Sequence, residues 1–294
     1  MIDRRMLMSS AALAALATLT PHSALAQDAK LPNPLSWTAY DVGSGGYNQS
    51  VAIGKALKDA MGIDLRVLPG KNDVSRQVPL REKKVDFSAT GVGAAYLAQE
   101  GVFEFGAKSW GPQPVRVLLA ANSDSNLTVG VAADAGVKEI KDLKGKRVAW
   151  VVGSPSLNEN VGAILAFGGL SWADVKKVEF PGFGQSWDGI KAGLVDAAFA
   201  QTSSGKAFEV AASPRGLVWP PLPHGDKEGW KRLQAKGPFF QPNIGTEGAN
   251  VSKDKPHEGA AYPYPILICY PDQDTAMVEE MTKAMIELFP KYKD

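Results

Sequence analysis

The chain has 294 residues, 45% of them hydrophobic and 21% charged, with 32 Lys and Arg against 31 Asp and Glu and a formal charge of +1. That length and apolar share suit one large or two medium domains and exclude a disordered, collagen-like or coiled-coil chain. The near-zero charge lacks the basic excess of a nucleic-acid binder, one cysteine (Cys269) excludes an internal disulfide framework, and three histidines leave little for a His-based metal site.

Residues 1–26 read as a signal peptide. Arg4 and Arg5 form a positive start, Met6 to Thr20 is apolar and small, and Ala24-Leu25-Ala26 fits the small-x-small rule before cleavage. The uncharged run is shorter than a spanning helix needs, and Pro21 ends it. The Arg pair also fits a twin-arginine signal. Either route delivers the mature chain to the periplasm, where the lone Cys269, beside Ile266, Leu267 and Ile268, reads as a core residue. Removing 1–26 takes away two Arg and one Asp and leaves a neutral chain.

From there β-rich runs alternate with amphipathic segments. Strands are expected at Leu35–Val42, Asp64–Leu68 and Val85–Ala89, and at Val115–Ala121 and Thr128–Ala132, or as one long strand there with a polar interruption at Asn122–Asn126. Helical spacing marks Tyr47–Met61, Asp73–Lys83 and the segment from Val92, with a break or kink near Pro79. The pattern then restarts. A short helix at Ile140 leads to a strand through Val152, then come helices at Leu157–Phe167, Ser186–Leu194, Gly205–Ala212 and Lys227–Ala235 and strands at Val178–Phe180, Ala197–Ala200 and Leu217–Trp219. Pro238–Pro263 reads as irregular, Ile266–Tyr270 as a strand and Thr275–Phe289 as a strong helix. This alternation predicts an α/β protein of mostly parallel sheets flanked by helices. The restart predicts two lobes: 33–124 plus 262–294 as the first, 125–261 as the second.

Catalytic machinery is sparse. Gly43-Ser44-Gly45-Gly46 lies between a strand and a helix but has Asn48 where the dinucleotide fingerprint needs a third glycine. The P-loop and the nucleophile elbow are absent. What remains is a set of hydroxyl-rich loops at helix starts, where free N–H groups and the dipole favour a carboxylate or phosphate. They are Ser44-Gly45-Gly46-Tyr47, Ser154 and Ser156 after the strand ending near Val152, Gln185 in the Phe183–Trp187 stretch, and Thr202-Ser203-Ser204. Each also has an ordinary reading as a turn or cap, and Ser156 with Glu159 fits a capping box. Asn72 and Arg76 follow the second strand, and an arginine there suits a carboxylate clamp, the plain alternative being a solvated helix face. Tyr47 and Trp187 are candidates for a pocket wall or for core. In open α/β sheets ligands bind beyond the carboxyl ends of strands, so a cleft between lobes would receive these loops from both sides.

Several segments in order resemble the TAXI family of solute receptors, which serve TRAP-type transporters: Val42–Tyr47, Val85–Ser88, Ala95–Ala98 with Gly101, the turn Asp142-Leu143-Lys144-Gly145-Lys146-Arg147-Val148, Gly153–Ser156, Gly193–Phe199 and the helix Val278–Ala284. The resemblance implies a two-lobed periplasmic binding protein, type II-like, with its ligand cleft between the lobes. It would capture a small carboxylate-bearing ligand (glutamate-, glutamine- or dicarboxylate-like) and deliver it to an ion-coupled TRAP permease. Carried over by position, contacts fall at Ser44, Tyr47, Thr90, Ser154, Ser156 and the 202–204 loop. The sequence departs from the family at Gly91-Val92-Gly93, where a Gln-Ser-Asp stretch is common, and at Asp73 and Arg76, which replace Ser and Asn. Members continue with further helix where this sequence stops at Asp294, so it reads as one that ends early.

The expectation is therefore a monomeric binding protein that is not an enzyme, with no cofactor and no metal, partnered by a small ligand and the membrane subunits of a transporter. Alternatives are a receptor for an ATP-driven (ABC) importer of nitrate, sulfonate or pyrimidine-like ligands, a module presenting ligand to a membrane sensor, and an enzyme on the same fold that carries a cofactor on Cys269.

Overall fold

The computed structural model describes residues 31–293 except Pro112. The expected signal peptide lies outside the described residues.

Two five-stranded sheets organise the chain. The first has the order β2-β1-β3-β12-β4, from β1 (Leu35–Tyr40), β2 (Leu65–Gly70), β3 (Phe87–Thr90), β4 (Arg116–Ala120) and β12 (Ile266–Cys269). The second has the order β7-β6-β8-β5-β9, from β5 (Leu127–Ala132), β6 (Arg147–Val151), β7 (Lys176–Phe180), β8 (Ala197–Gln201) and β9 (Leu217–Val218). β1 runs parallel to β2 and β3, and β6 parallel to β7 and β8, as β–α alternation dictates. One strand per sheet is reversed: β12 is antiparallel to β3 and β4, β5 to β8 and β9. Both follow a passage between sheets, so each enters its sheet from the junction side. The passages lie side by side, joined by Ala121 N to Pro265 O at 3.1 Å and Tyr264 N to Ala121 O at 2.8 Å.

The helices follow the strands: α1 (Gly45–Met61), α2 (Asp73–Arg81), α3 (Val92–Glu100), α4 (Pro155–Phe167), α5 (Phe183–Lys191), α6 (Gly205–Ala211), α7 (Lys227–Lys236) and α8 (Thr275–Tyr292). Pro79 does not break α2, because it sits in the last turn and the helix ends two residues later. The α1 start is capped by its own Ser44, and its end by Gly62 in the left-handed region at φ +72°, donating to Lys58 O. The first sheet packs Leu35, Trp37 and Phe87 against Met281 and Met285 of α8. The second buries Trp187, which belongs to that core and not to a pocket wall, with Val129, Val161 and Leu165. Cys269 ends β12 and is buried.

The segment expected to be irregular contains an antiparallel pair, β10 (Gln241–Gly245) and β11 (His257–Ala261). Its residues are poor strand formers, which is why composition hides it. Asn126 holds it in place, taking a hydrogen bond from Asn243 Nδ2 at 2.7 Å and donating to His257 O at 2.9 Å.

Asp196, just before β8, accepts from Arg147 Nε at 3.1 Å and Nη2 at 2.6 Å, with Arg215 at 3.4 Å. Burial raises its pKa, but these arginines overcome that and hold it down to about 2. A depressed carboxyl contributes stability that is complete above its unfolded value and is lost as pH falls through the folded one. We expect Asp196→Asn to cost about 2 kcal/mol at neutral pH. In urea unfolding the gap between variant and parent should narrow as pH drops from 5 toward 2; a constant gap contradicts this pairing.

Candidate functional site

The carboxyl ends of both sheets face each other, and the starts of α1, α2 and α3 meet those of α4, α5 and α6 across the gap. Most of these starts are already engaged. α1 and α6 are capped by their own Ser44 and Ser204, and α2 by Asn72. α4 and α5 have no capping side chain of their own. Each receives one from the opposite lobe.

Asp73, the first residue of α2, reaches across to α4, where Oδ2 accepts from Ser156 N at 2.9 Å and Ser156 Oγ at 2.6 Å. Asp41, just beyond β1, accepts from Gly184 N of α5 at 2.9 Å. The second lobe returns the contact. Ser154 Oγ accepts from Asp73 N at 3.1 Å, Gly153 O from Val74 N at 3.2 Å and Val152 O from Asn72 Nδ2 at 3.1 Å. The α2 and α4 starts thus cap one another, and N–H groups left orphaned at both helix starts are satisfied across the gap. Ser154, expected at the ligand, lies behind this contact and shares a 2.6 Å hydrogen bond with Tyr40 OH.

Arg76 is not on a solvated face: it is 2% exposed, pairs with Asp73 (1% exposed) at 2.8 Å, and has its guanidinium 4.7 Å from the centre of the Tyr40 ring. Burial pushes the Asp73 carboxyl up, with Arg76 and Ser156 pulling it back. Burial likewise raises Tyr40, Tyr262 and Tyr264, so all three are neutral hydroxyls at physiological pH.

Between the lobes remains a cavity of about 50 Å³, bordered by Arg76, Asn160, Gly91, Gln201 and the rings of Tyr262 and Tyr264, among others. Two of its side chains carry buried atoms without a partner: Arg76 Nε, a donor, and Asn160 Oδ1, an acceptor. Asn160 Nδ2 is committed to Tyr262 OH at 2.9 Å. The α3 start opens here too, at Gly91, with no capping side chain. Unpaired buried polar atoms are costly, and a ligand that pairs them recovers that cost. A donor, a positive helix end and an acceptor, framed by aromatic walls, suit a small molecule with an oxyanion at one end and an N–H or O–H at the other.

Of the residues expected from sequence, Ser44, Gly45, Arg76 and Ser156 border the cavity. Gly46 lies against Tyr264, whose OH would sit 2.9 Å from a Cβ there. Tyr47 packs against the first core. The Thr90 hydroxyl accepts from Gln77 at 3.0 Å, and the Thr202 hydroxyl bonds Asn126 N and Glu247 O, so both hold structure. Ser203 lines a neighbouring chamber, and Gln185 lies beside Gly182 outside the cavity. Asp73, Asn160, Tyr262 and Tyr264 were not among the expected contacts. Two of them had a local signal: Asn160, four residues after Ser156, and Asp73, three before Arg76, each share a helix face with an expected residue.

Among the described residues, no group of His, Cys, Asp and Glu is arranged to hold a metal, and no helix is long and apolar enough to cross a membrane.

Residues 43–294 match the model of the NMT1-like family. No curated protein matches by sequence. Among solved structures, the alkanesulfonate-binding protein SsuA from Xanthomonas axonopodis pv. citri, bound to MOPS, aligns with a TM-score of 0.56 and 17% identity over 90% of this chain and 74% of that one. An ancestral arginine-binding protein bound to arginine aligns at 0.50 and 15% over 90% and 96%. PhnD1 from Prochlorococcus marinus (MIT 9301), in complex with methylphosphonate, aligns at 0.50 and 14% over 89% and 88%. These identities speak for the fold: two mixed sheets flanked by helices, as in two-lobed periplasmic binding proteins.

Proposed function

The chain belongs to the NMT1-like family, and from that premise we propose that it is the periplasmic solute-binding subunit of a membrane transporter, binding its ligand without altering it. The observation that carries this reading is the inter-lobe cavity bordered by Arg76 and Asn160, each of which has a buried polar atom, Nε and Oδ1, without a partner. The ligand is a compact carboxylate. Its oxyanion meets Arg76 and the α3 start, and a donor meets Asn160. Because Asp73 already neutralises Arg76, the attraction comes from hydrogen bonds and the helix end more than from net charge.

In this reading lobe 1 comprises 33–124 plus 262–294 and lobe 2 comprises 125–261, and the ligand biases an open–closed equilibrium through the reciprocal caps. The closed form docks on the permease. We assign that permease to the ion-coupled TRAP class on the ordered motifs from Val42–Tyr47 to Val278–Ala284. A second reading, a receptor for an ABC importer, is favoured by the sulfonate and phosphonate ligands of two structural neighbours.

A thermal-shift panel of small carboxylates, amino acids, sulfonates and phosphonates tests the binding reading. Stabilisation should rise with the logarithm of concentration beyond Kd for a carboxylate class. A preference for sulfonates or phosphonates transfers the assignment to the second reading, and a folded protein that responds to nothing contradicts both.

A further inference from the structure

The inner cavity does not stand alone. A second chamber of about 190 Å³ lies alongside, and Gly45, Gln201 and Tyr264 border both. Gln201 ends β8 in the second sheet, and its side chain crosses the gap to rest on Gly45, the first residue of α1. The fit is close: a Cβ on Gly45 would stand 1.9 Å from Gln201 Oε1 and 3.0 Å from its Cδ. The other end of the amide is held lightly, by Nε2 donating at 2.9 Å to the hydroxyl of Ser123, an exposed residue in the passage between sheets. The remaining shared walls are fixed, Gly45 by the helix it opens and Tyr264 by its contacts with Gly46 and Gly91.

The size of the inner space gives this arrangement a consequence. About 50 Å³ holds roughly four waters, or a guest of about as many heavy atoms. A longer guest that stays between the sheets needs a wall to yield, and the Gln201 amide can do so for the loss of a single hydrogen bond to an exposed hydroxyl.

We propose that Gln201, seated on Gly45, is the partition that sets ligand length: in place it restricts the site to short molecules, and displaced it joins the two chambers along one axis. This rests on the solute-binding reading above and adds to it the residue that discriminates by length. Gln201 is a specificity residue here because its side chain borders the space the ligand occupies.

Calorimetry on the full chain with straight-chain carboxylates, acetate through heptanoate, and dicarboxylates, malonate through pimelate, tests the assignment. Wild type should weaken as chains lengthen. Gln201→Ala should bind members two or more methylenes longer about tenfold more tightly than wild type does, while the shortest change by less than about threefold. Ser123→Ala, which frees the amide at an exposed position and also gives up the 3.3 Å bond from Ser125 N, should move the length limit the same way by a smaller step. It serves as the test if Gln201→Ala folds poorly. The same length limit in wild type and variants overturns the proposal while leaving the solute-binding reading intact. Binding of no member by any of these proteins removes that reading and, with it, this one.

Discussion

Replacing Arg76 by alanine should destabilise the folded protein by about 3–5 kcal/mol, the cost of leaving a buried charge without its partner. The charge in question is Asp73, 1% exposed, whose other oxygen is held by the backbone and hydroxyl of Ser156. Burial already raises the Asp73 pKa against the pull of Arg76, and deleting the guanidinium lets it rise further. A carboxyl raised in the folded state carries no penalty below its unfolded value, and the penalty grows as pH rises through the folded one. The variant should therefore lose most stability at neutral and alkaline pH and recover part of it toward pH 4. Urea unfolding across that range checks both size and direction. Arg76→Lys separates the two roles of the residue: it keeps a counter-charge for Asp73 but removes the Nε donor, so it should keep most of the stability and lose ligand affinity. A loss under about 1 kcal/mol for Arg76→Ala, constant with pH, would show that Asp73 does not depend on this pair.

Gly153→Ala should separate lobe closure from folding. Gly153 has φ +75°, where any other residue costs about 1–2 kcal/mol. Its new methyl would stand 2.7 Å from Nδ2 of Asn72 in the other lobe. Asn72 cannot simply turn aside, because its Oδ1 caps α2 by accepting from Ser75 N at 2.8 Å. The clash strikes where Val74 N, Asp73 N and Asn72 Nδ2 bond across the gap. Losing three such bonds, at about 1 kcal/mol each, lowers the closed population and ligand affinity about 100-fold. Gly145→Ala is the matched control: φ is +74° and nothing lies within 4 Å of its Cβ, so it carries the backbone strain without the cross-lobe contact. Small-angle scattering should show Gly153→Ala more extended than wild type and Gly145→Ala unchanged, with similar melting temperatures for the two variants. Equal scattering from all three would remove the reciprocal caps as the closing device.

These results bear on how much of the molecule its sequence discloses. Strand and helix order is legible because Val-, Ile- and Phe-rich runs such as Val148-Ala149-Trp150-Val151 stop at turn residues and pass into helical spacing. The β10–β11 pair is not, since Gln241-Pro242-Asn243-Ile244-Gly245 has little strand propensity and its register depends on Asn126, more than a hundred residues away in sequence. Hydroxyl-bearing helix starts are visible as motifs, and they do gather at one gap. Their partners are not visible, because a cap supplied from the opposite lobe looks in sequence like an uncapped start. Hence Ser154, which reads as a ligand contact, meets Tyr40, while Ser156 borders the cavity and also bonds Asp73. Asp73 reads as a departure from a family pattern, yet it joins the halves. Tyr262 and Tyr264, in the return passage, carry no local mark separating a pocket tyrosine from a core one.

A crystal structure of the protein with its ligand bound decides whether the gap between the two sheets is the binding site. The account predicts a small guest in the gap, with an oxyanion within about 3.2 Å of Arg76 Nε beside Gly91 and a donor at the same range from Asn160 Oδ1. A guest bound elsewhere, with those two atoms facing only water, would contradict it.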